Sequence, residues 1–240
     1  LNNSADIVFW GHKKEHSDGK NKEIPLFGAN IKFSGNYKNW LHRRLIGLIG
    51  NELSYPTKTD AFSSAWGKLY RRDLISINKI TFIDTKVIGS EDVLFNIEVF
   101  YRAKEIVYLN ALFNHYRQDN PNAITKNHNS TLFPRFLNLF KHIEEFIQSN
   151  NLDQEYYTAL NNRIALSIIN SSLSITSKRN TDGILEKIRA IKKILENDLY
   201  RSAISRLELT NFTLPWKVFF VLCKYKFALE VYFLAFIVRK

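Results

Sequence analysis

The sequence predicts an α/β fold in its first half and an all-helical region behind it. Three observations carry this. Up to about residue 125, short apolar runs alternate with longer stretches that read as helices. A polar segment, "DNPNAITKNHNS" (119–130, with Pro121), marks a change of character. Beyond it, apolar residues recur only at helical spacing. At 240 residues, with 45% hydrophobic and 14% aromatic side chains, the chain can bury a sizeable core, which argues against global disorder.

The elements follow in order. "ADIVFWG" (5–11) is a short apolar run closed by Gly, which predicts a buried strand, and "HKKEHSDGKNKE" (12–23) a charged loop. "YKNWLHRRLIGLIGN" (37–51) predicts a helix ending near Gly50. Ser63–Ser76 predicts a helix or tight helical turn, and "KITFID" (79–84) a short strand. "GSEDVLFNIEVF" (89–100) predicts a helix with Glu91 and Asp92 in its first turn, and "EIVYLN" (105–110) and "LFNHYRQ" (112–118) two more short strands. In the helical half, Phe136, Leu139, Phe140, Ile143 and Ile147 share one face. "QEYYTALNNRIALSIINSSLSI" (154–175) supplies a second helix, and Ile184, Leu185, Ile188, Ile191 and Leu195 mark the face of a third. This divides the chain into 1–125, 126–213 and a distinct tail, 214–240.

That tail is aromatic and apolar, with Lys217, Lys224, Lys226, Arg239 and Lys240 spread through it against one acid, Glu230. Its longest weakly charged run, 227–238, is shorter than the roughly 20 apolar residues a spanning helix needs. Two readings fit: a helix lying in a membrane interface, or a C-terminal helix docked on the protein's own core. The whole chain carries 34 Lys and Arg against 23 Asp and Glu, net +11, which favours a polyanionic partner without choosing one. A single cysteine, Cys223, excludes an internal disulfide and suits a reducing compartment. No charged leader with a long apolar run opens the sequence, so no signal peptide is expected. The absence of any Met, including a first one, suggests a processed or partial chain. The Asn-x-Ser/Thr triplets at Asn2, Asn129, Asn170 and Asn211 are read as chance matches.

Motifs narrow the chemistry. "HKKEH" (12–16) has the His-x-x-Glu-His spacing of some zinc peptidases, but that chemistry needs a helix, and here a strand and a loop are expected. No dinucleotide fingerprint, phosphate loop or nucleophile elbow occurs. Basic residues are scattered and not gathered with aromatics, so no nucleic-acid groove is expected. At Ser90–Asp92 two readings stay open. Ser90 can cap a helix, with Glu91 and Asp92 favoured by the helix dipole. Alternatively, one carboxylate faces a cleft as a general base. The dipole holds it rigidly but also favours its charged form, so it would need help from a neighbouring group.

The order of blocks resembles the C-terminal half of family-2 glycosyltransferases of the GT-A type, bacterial enzymes that build cell-surface polysaccharides. The blocks are "AWGKLYR" (65–71), the aliphatic-Phe stretch Ile80–Phe82, "GSEDVLF" (89–95), "IVYL" (106–109) and the pair Tyr116–Arg117. The resemblance covers nearly the whole chain. It implies a partial, Rossmann-like GT-A sheet followed by helices and a basic membrane-proximal tail. It further implies inverting transfer of a sugar from a nucleotide diphosphate sugar to a glycan or lipid-linked acceptor, at the cytoplasmic face of a membrane. Asp92 would be the catalytic base and Glu91 its neighbour. Trp66 would be a wall for a sugar ring and Lys68 a charge near donor or acceptor. Arg117, with His115, would face the diphosphate. From the residues alone, Trp66 as core, Lys68 as a solvated helix residue, and Arg117 as a partner of Glu91 or Asp119 remain open. Mg or Mn is implied for the complete enzyme, but the Asp-x-Asp segment that would bind it is absent, as is the nucleotide site. Gly67 and Ala123 also depart from the family's usual Asn and Ser. A lone half would leave an unpaired sheet edge and an exposed apolar face. Two other readings of the chain are a non-catalytic helical adaptor that binds a membrane or partner through its basic C-terminal half and, from charge alone, a basic nucleic-acid-binding domain.

Overall fold

A computed structural model describes residues 5–120 and 130–238. Asn2, Pro121, Ala123, Asn129 and the Arg239–Lys240 pair lie outside the described residues. The described chain is mixed α/β and falls into two units. The first holds residues 1–45, 60–85 and 90–121, the second residues 46–59, 86–89 and 122–240.

The first unit is built on two long strands, β1 (Ile7–Glu15) and β5 (Ile106–Arg117), paired in parallel. β1 also pairs antiparallel with β4 (Lys68–Tyr70) near its start and with β2 (Lys22–Ile24) near its end. β3 (Ile31–Phe33) runs antiparallel along the outer side of β5. Alternation along the strands sends Ile7, Phe9, Ile106 and Tyr108 to one face, where all four are fully buried. Phe9 is the hub of an aromatic cluster there, with centroids 5.2 Å from Tyr108, 6.0 Å from Phe33 and 6.1 Å from Phe100. Helices α1 (Gly35–Ile46) and α4 (Glu91–Arg102) contribute to this core, joined by His42 Nε2 and the Ile97 carbonyl at 3.0 Å. Lys38 Nζ donates to the carbonyls of Tyr101 and Ala103, satisfying the open end of α4. The opposite face, with Val8, Val107, Leu109 and Leu69, is an open groove of about 890 Å³. It is flanked by the Asp6–Arg71 and Lys32–Glu105 ion pairs.

Four local expectations are corrected here. β1 runs on through "HKKE", because pairing with both β2 and β5 outweighs the low strand preference of the charged residues. Ser63–Ser76 is not one helix. Gly67, at φ +74°, turns the chain into β4, and only Arg72–Ile77 is helical, as α2. "KITFID" forms no strand: Ile80 is buried and Phe82 stacks on Phe95 at 4.0 Å, so its apolar residues serve packing without a ladder. The two short strands expected at 105–118 are one, β5. Its register against β1 shifts between Trp10 and His12, which absorbs the irregularity inside the strand. A short helix, α3 (Thr85–Ile88), precedes Gly89.

In the second unit, α6 (Gln154–Ile175) is buried along most of its length and packs against α5 (Leu132–Ser149), α7 (Ile184–Glu196) and α8 (Asp198–Ser205). The chain at 46–48 crosses α6 closely. A Cβ on Gly47 would lie 2.0 Å from the Ala159 carbonyl oxygen, and Asn162 donates to the Leu48 carbonyl at 2.8 Å. The helix expected over 37–51 therefore stops at Ile46, short of Gly50. The expected face of α5 is buried at Leu139, Phe140, Ile143 and Ile147. In α7 only the later part is: Ile191, Ile194 and Leu195 are buried, whereas Ile184 and Leu185 are exposed, because the contacts begin beyond the first turn. The tail is two helices, α9 (Leu214–Lys224) and α10 (Ala228–Val238), not one. No helix among the described residues is long and apolar enough to cross a membrane.

Candidate active site

Asp92 sits in the first turn of α4, as its sequence block predicts. Ser90 occupies the cap position, but its hydroxyl makes no capping bond, which corrects one reading of this segment. Its carbonyl accepts from Val93 N at 3.2 Å instead. Glu91 and Asp92 both lie in the first turn, where the helix dipole favours their charge. Asp92 Oδ2 accepts from the backbone N–H of Ala65 at 2.8 Å, tying α4 to the loop that carries Trp66. Oδ1 has no hydrogen-bond partner among the described residues.

A buried amide holds this arrangement. Asn96, one turn after Asp92 and fully buried, donates to the carbonyls of Ser63 and Asp92, each at 2.8 Å. Its Oδ1 accepts from the Tyr70 hydroxyl at 2.8 Å. Burial first, and then the charge of Asp92, push the Tyr70 phenol up, so it stays a neutral donor. Lys68, from β4, donates to the Ser64 carbonyl. Burial lowers its pKa to about 7, against the pull of Asp92. Lys68 is therefore not a solvated helix residue: it is in a strand and in electrostatic reach of Asp92.

Trp66 follows Ala65 directly, is 41% exposed, and is not core. Its ring stacks on Tyr116 at 5.6 Å and 17°, and His12 meets it edge-on at 5.0 Å. Burial, and secondarily Lys14, lower the His12 pKa, favouring the neutral ring. Gly67 O accepts from Trp10 N at 3.2 Å, which fastens the loop to β1, and Trp10 Nε1 donates to Asn114 Oδ1 at 2.6 Å, which ties β1 to β5. A half-exposed aromatic shelf and a carboxylate are thus carried by one loop and one helix turn.

The other sequence candidates are placed apart. Asn114 and Tyr116 share the strand face that carries the Trp66 contact. His115 and Arg117, being odd neighbours on β5, belong to the other face. His115 Nδ1 lies 2.6 Å from Glu15 Oε1. Arg117 is exposed and opposite Glu15 in register, with no ion pair to Glu91 or Asp119. Glu91 is half-exposed, and its side chain makes no hydrogen bond or ion pair among the described residues. Asn96, Tyr70, Tyr116 and His12 are the residues that sequence reasoning missed. Asn96 had a signal, a polar side chain within the apolar run "VLFNI", one turn from Asp92, and Tyr70 and Tyr116 stand inside blocks that carry the resemblance. Of "HKKEH", His12–Glu15 lie on β1, where His12 packs on Trp66, and His16 lies just beyond the strand. Among the described residues no group of three or more His, Cys, Asp or Glu comes together to hold a metal.

No protein-family model matches the chain. Among curated proteins, "Putative glycosyltransferase EpsH" of Bacillus subtilis (strain 168) is 25% identical over 166 residues, which is 68% of this chain and 47% of that protein. The chain is distantly similar to a glycosyltransferase. It spans about half the length of that relative.

Proposed function

We propose that this chain is the C-terminal half of an inverting GT-A glycosyltransferase of family 2. In the complete protein it would transfer a sugar, a hexose or relative, from a nucleotide diphosphate sugar to a glycan or lipid-linked acceptor in cell-surface polysaccharide synthesis. The observation that carries this reading is the loop 63–68. It presents Trp66 as a partly exposed aromatic ring and, one residue earlier, holds the Asp92 carboxylate through Ala65 N. Sugar rings stack their C–H faces on exposed aromatic rings, and acceptor hydroxyls need a carboxylate within hydrogen-bond reach.

In the proposed step the acceptor hydroxyl attacks the anomeric carbon as the bond to the diphosphate breaks, and its proton passes to Asp92. With Oδ2 fixed by Ala65 N, Oδ1 is the atom to take it. Lys68 supplies positive charge next to Asp92 while protonated, and loses it as pH rises through about 7. Arg117 and His115 lie on the other strand face, so any contact of theirs with the diphosphate is separate from the aromatic shelf. The parallel β1–β5 pair and the open apolar groove support a Rossmann-like sheet that is covered by further structure in the whole enzyme. That structure would also bring the metal site, and this half alone would be inactive or nearly so. We place the complete enzyme at the inner face of the cell membrane.

The test is Asp92→Asn in the complete enzyme. It should cut kcat by roughly a hundredfold to ten-thousandfold with thermal stability nearly unchanged. Unchanged transfer would reduce Glu91 and Asp92 to a helix start and assign the base to another residue.

A further inference from the structure

A cleft of about 470 Å³ opens in the second unit between the end of α7, α8 and the end of α9. Its floor is apolar: Leu195, Ile204 and Cys223 line it and are buried. Its rim is basic. Arg201 from α8, Lys224 at the end of α9 and Lys226 in the turn beyond line it against one acid, Asp198. That acid is already paired, with Asp198 Oδ1 3.2 Å from Arg201 Nη1. Lys224 and Lys226 are exposed and make no ion pair among the described residues. The hydroxyl of Ser202, half-buried on the same wall, makes no hydrogen bond among them. Two cations and a hydroxyl donor thus line one cleft without protein partners.

The backbone adds an independent observation. α9 ends in a Schellman turn, in which Phe227 N donates to Leu222 O at 2.9 Å and Lys226 N to Cys223 O at 3.0 Å. The left-handed position of that turn holds Lys226 at φ +61°. Glycine fills such a position without strain, and lysine does not. The dipole at the end of α9 accounts for a cation at Lys224. It does not account for a lysine in the left-handed position. A strained non-glycine residue whose side chain lines a cleft points to a role for that side chain.

We propose that this cleft binds a small phosphomonoester from solution. The phosphate would lie between Lys224, Lys226 and Arg201, with Ser202 as a further donor, and the organic part would rest on Leu195 and Ile204. A phosphomonoester carries close to two negative charges and three strong acceptor oxygens, so it can answer several cations and a hydroxyl at once. The cleft is of the size that takes a small organic ligand, and its apolar floor gives the ester's carbon skeleton a surface that bare phosphate would leave uncovered. None of these residues belongs to the Asp92 site, so the inference does not rest on the transfer reading.

The experiment is titration calorimetry of the 240-residue chain with glucose 1-phosphate, set against glucose and against phosphatidylglycerol vesicles. Glucose 1-phosphate should bind, more weakly as salt is added, and glucose should not. Lys226→Gly removes the charge and relieves the left-handed strain. It should weaken binding roughly tenfold or more while raising Tm by roughly 2–4 °C. Lys226→Gln should weaken binding alike with no rise in Tm. No binding of glucose 1-phosphate, or binding that both Lys226 variants leave unchanged, would overturn the proposal. So would binding to vesicles alone, which would assign the cations to a lipid surface. Binding lost in Trp66→Ala but kept in Lys226→Gly would overturn it too, by placing the ester at the aromatic shelf.

Discussion

At Asn96 one buried amide serves three partners: the Ser63 carbonyl, the Asp92 carbonyl and the Tyr70 hydroxyl. Each is a group that burial would otherwise leave without water. Asn96→Ala should therefore cost about 2–4 kcal/mol, because it strips the partners as well as the amide. Tyr70→Phe, which leaves the amide its two carbonyl bonds, should cost only about 1 kcal/mol. Urea unfolding of the two variants measures the difference; equal costs would mean that the amide network does not fix the 63–65 loop. The functional consequence lies one bond further on. That loop supplies the N–H that orients Asp92, so Asn96 positions the carboxylate without touching any substrate.

Among the elements, the loop from Ser63 to Lys68 matters most to the site, and Gly67 is the residue that shapes it. Its φ of +74° belongs to the left-handed region, while the space around its missing Cβ is ordinary. Gly67→Ala should thus be strained by backbone conformation alone, by about 1–2 kcal/mol. It should also disturb the bond from Trp10 N and the stack of Trp66 on Tyr116. Thermal melts and the near-ultraviolet signal of the tryptophans would show it; an unaltered melt would contradict the left-handed turn. The same element explains why a helix was expected here. The spacing of Trp66, Leu69 and Tyr70 suits a helical face, but a glycine in that conformation stops a helix, and the N–H and C=O groups beyond it find partners on β1.

At the scale of the molecule, acid stability depends on groups whose burial forbids charge. His42 lies between α1 and α4, bonded to the Ile97 carbonyl, and burial lowers its pKa to about 3. In the unfolded chain it would take up a proton near pH 6.5, so the unfolded state binds more protons at every pH between those values. Stability should be independent of His42 above pH 6.5. It should fall as pH drops from 6.5 towards 3, by at most about 1.4 kcal/mol per pH unit. His42→Gln keeps an N–H to offer Ile97 and does not titrate. Denaturant unfolding between pH 7 and 5 should show a shallower acid slope in that variant; the same slope in both would mean that other groups govern acid unfolding.

The sequence by itself determined the α/β character of the first half, the helices of the second and the place of Asp92 at the start of α4. Each is written in local pattern: apolar period, turn residues, and two acids where a helix dipole favours them. It also marked the tail as unusual, because composition alone departs there from that of a surface helix. Only the tertiary structure decided which face each residue serves. "HKKE" becomes strand because β2 and β5 offer it partners, whereas "KITFID" forms no strand and packs its apolar side chains instead. Tyr116, and not Arg117, meets Trp66, since a one-residue step along a strand reverses the side-chain direction. Asn96, Tyr70 and Asp92 form one network only when β4 and α4 are brought together, and their positions along the chain do not encode that contact. Local preference is a property of a segment, whereas strand pairing and the satisfaction of buried polar groups depend on which segments meet.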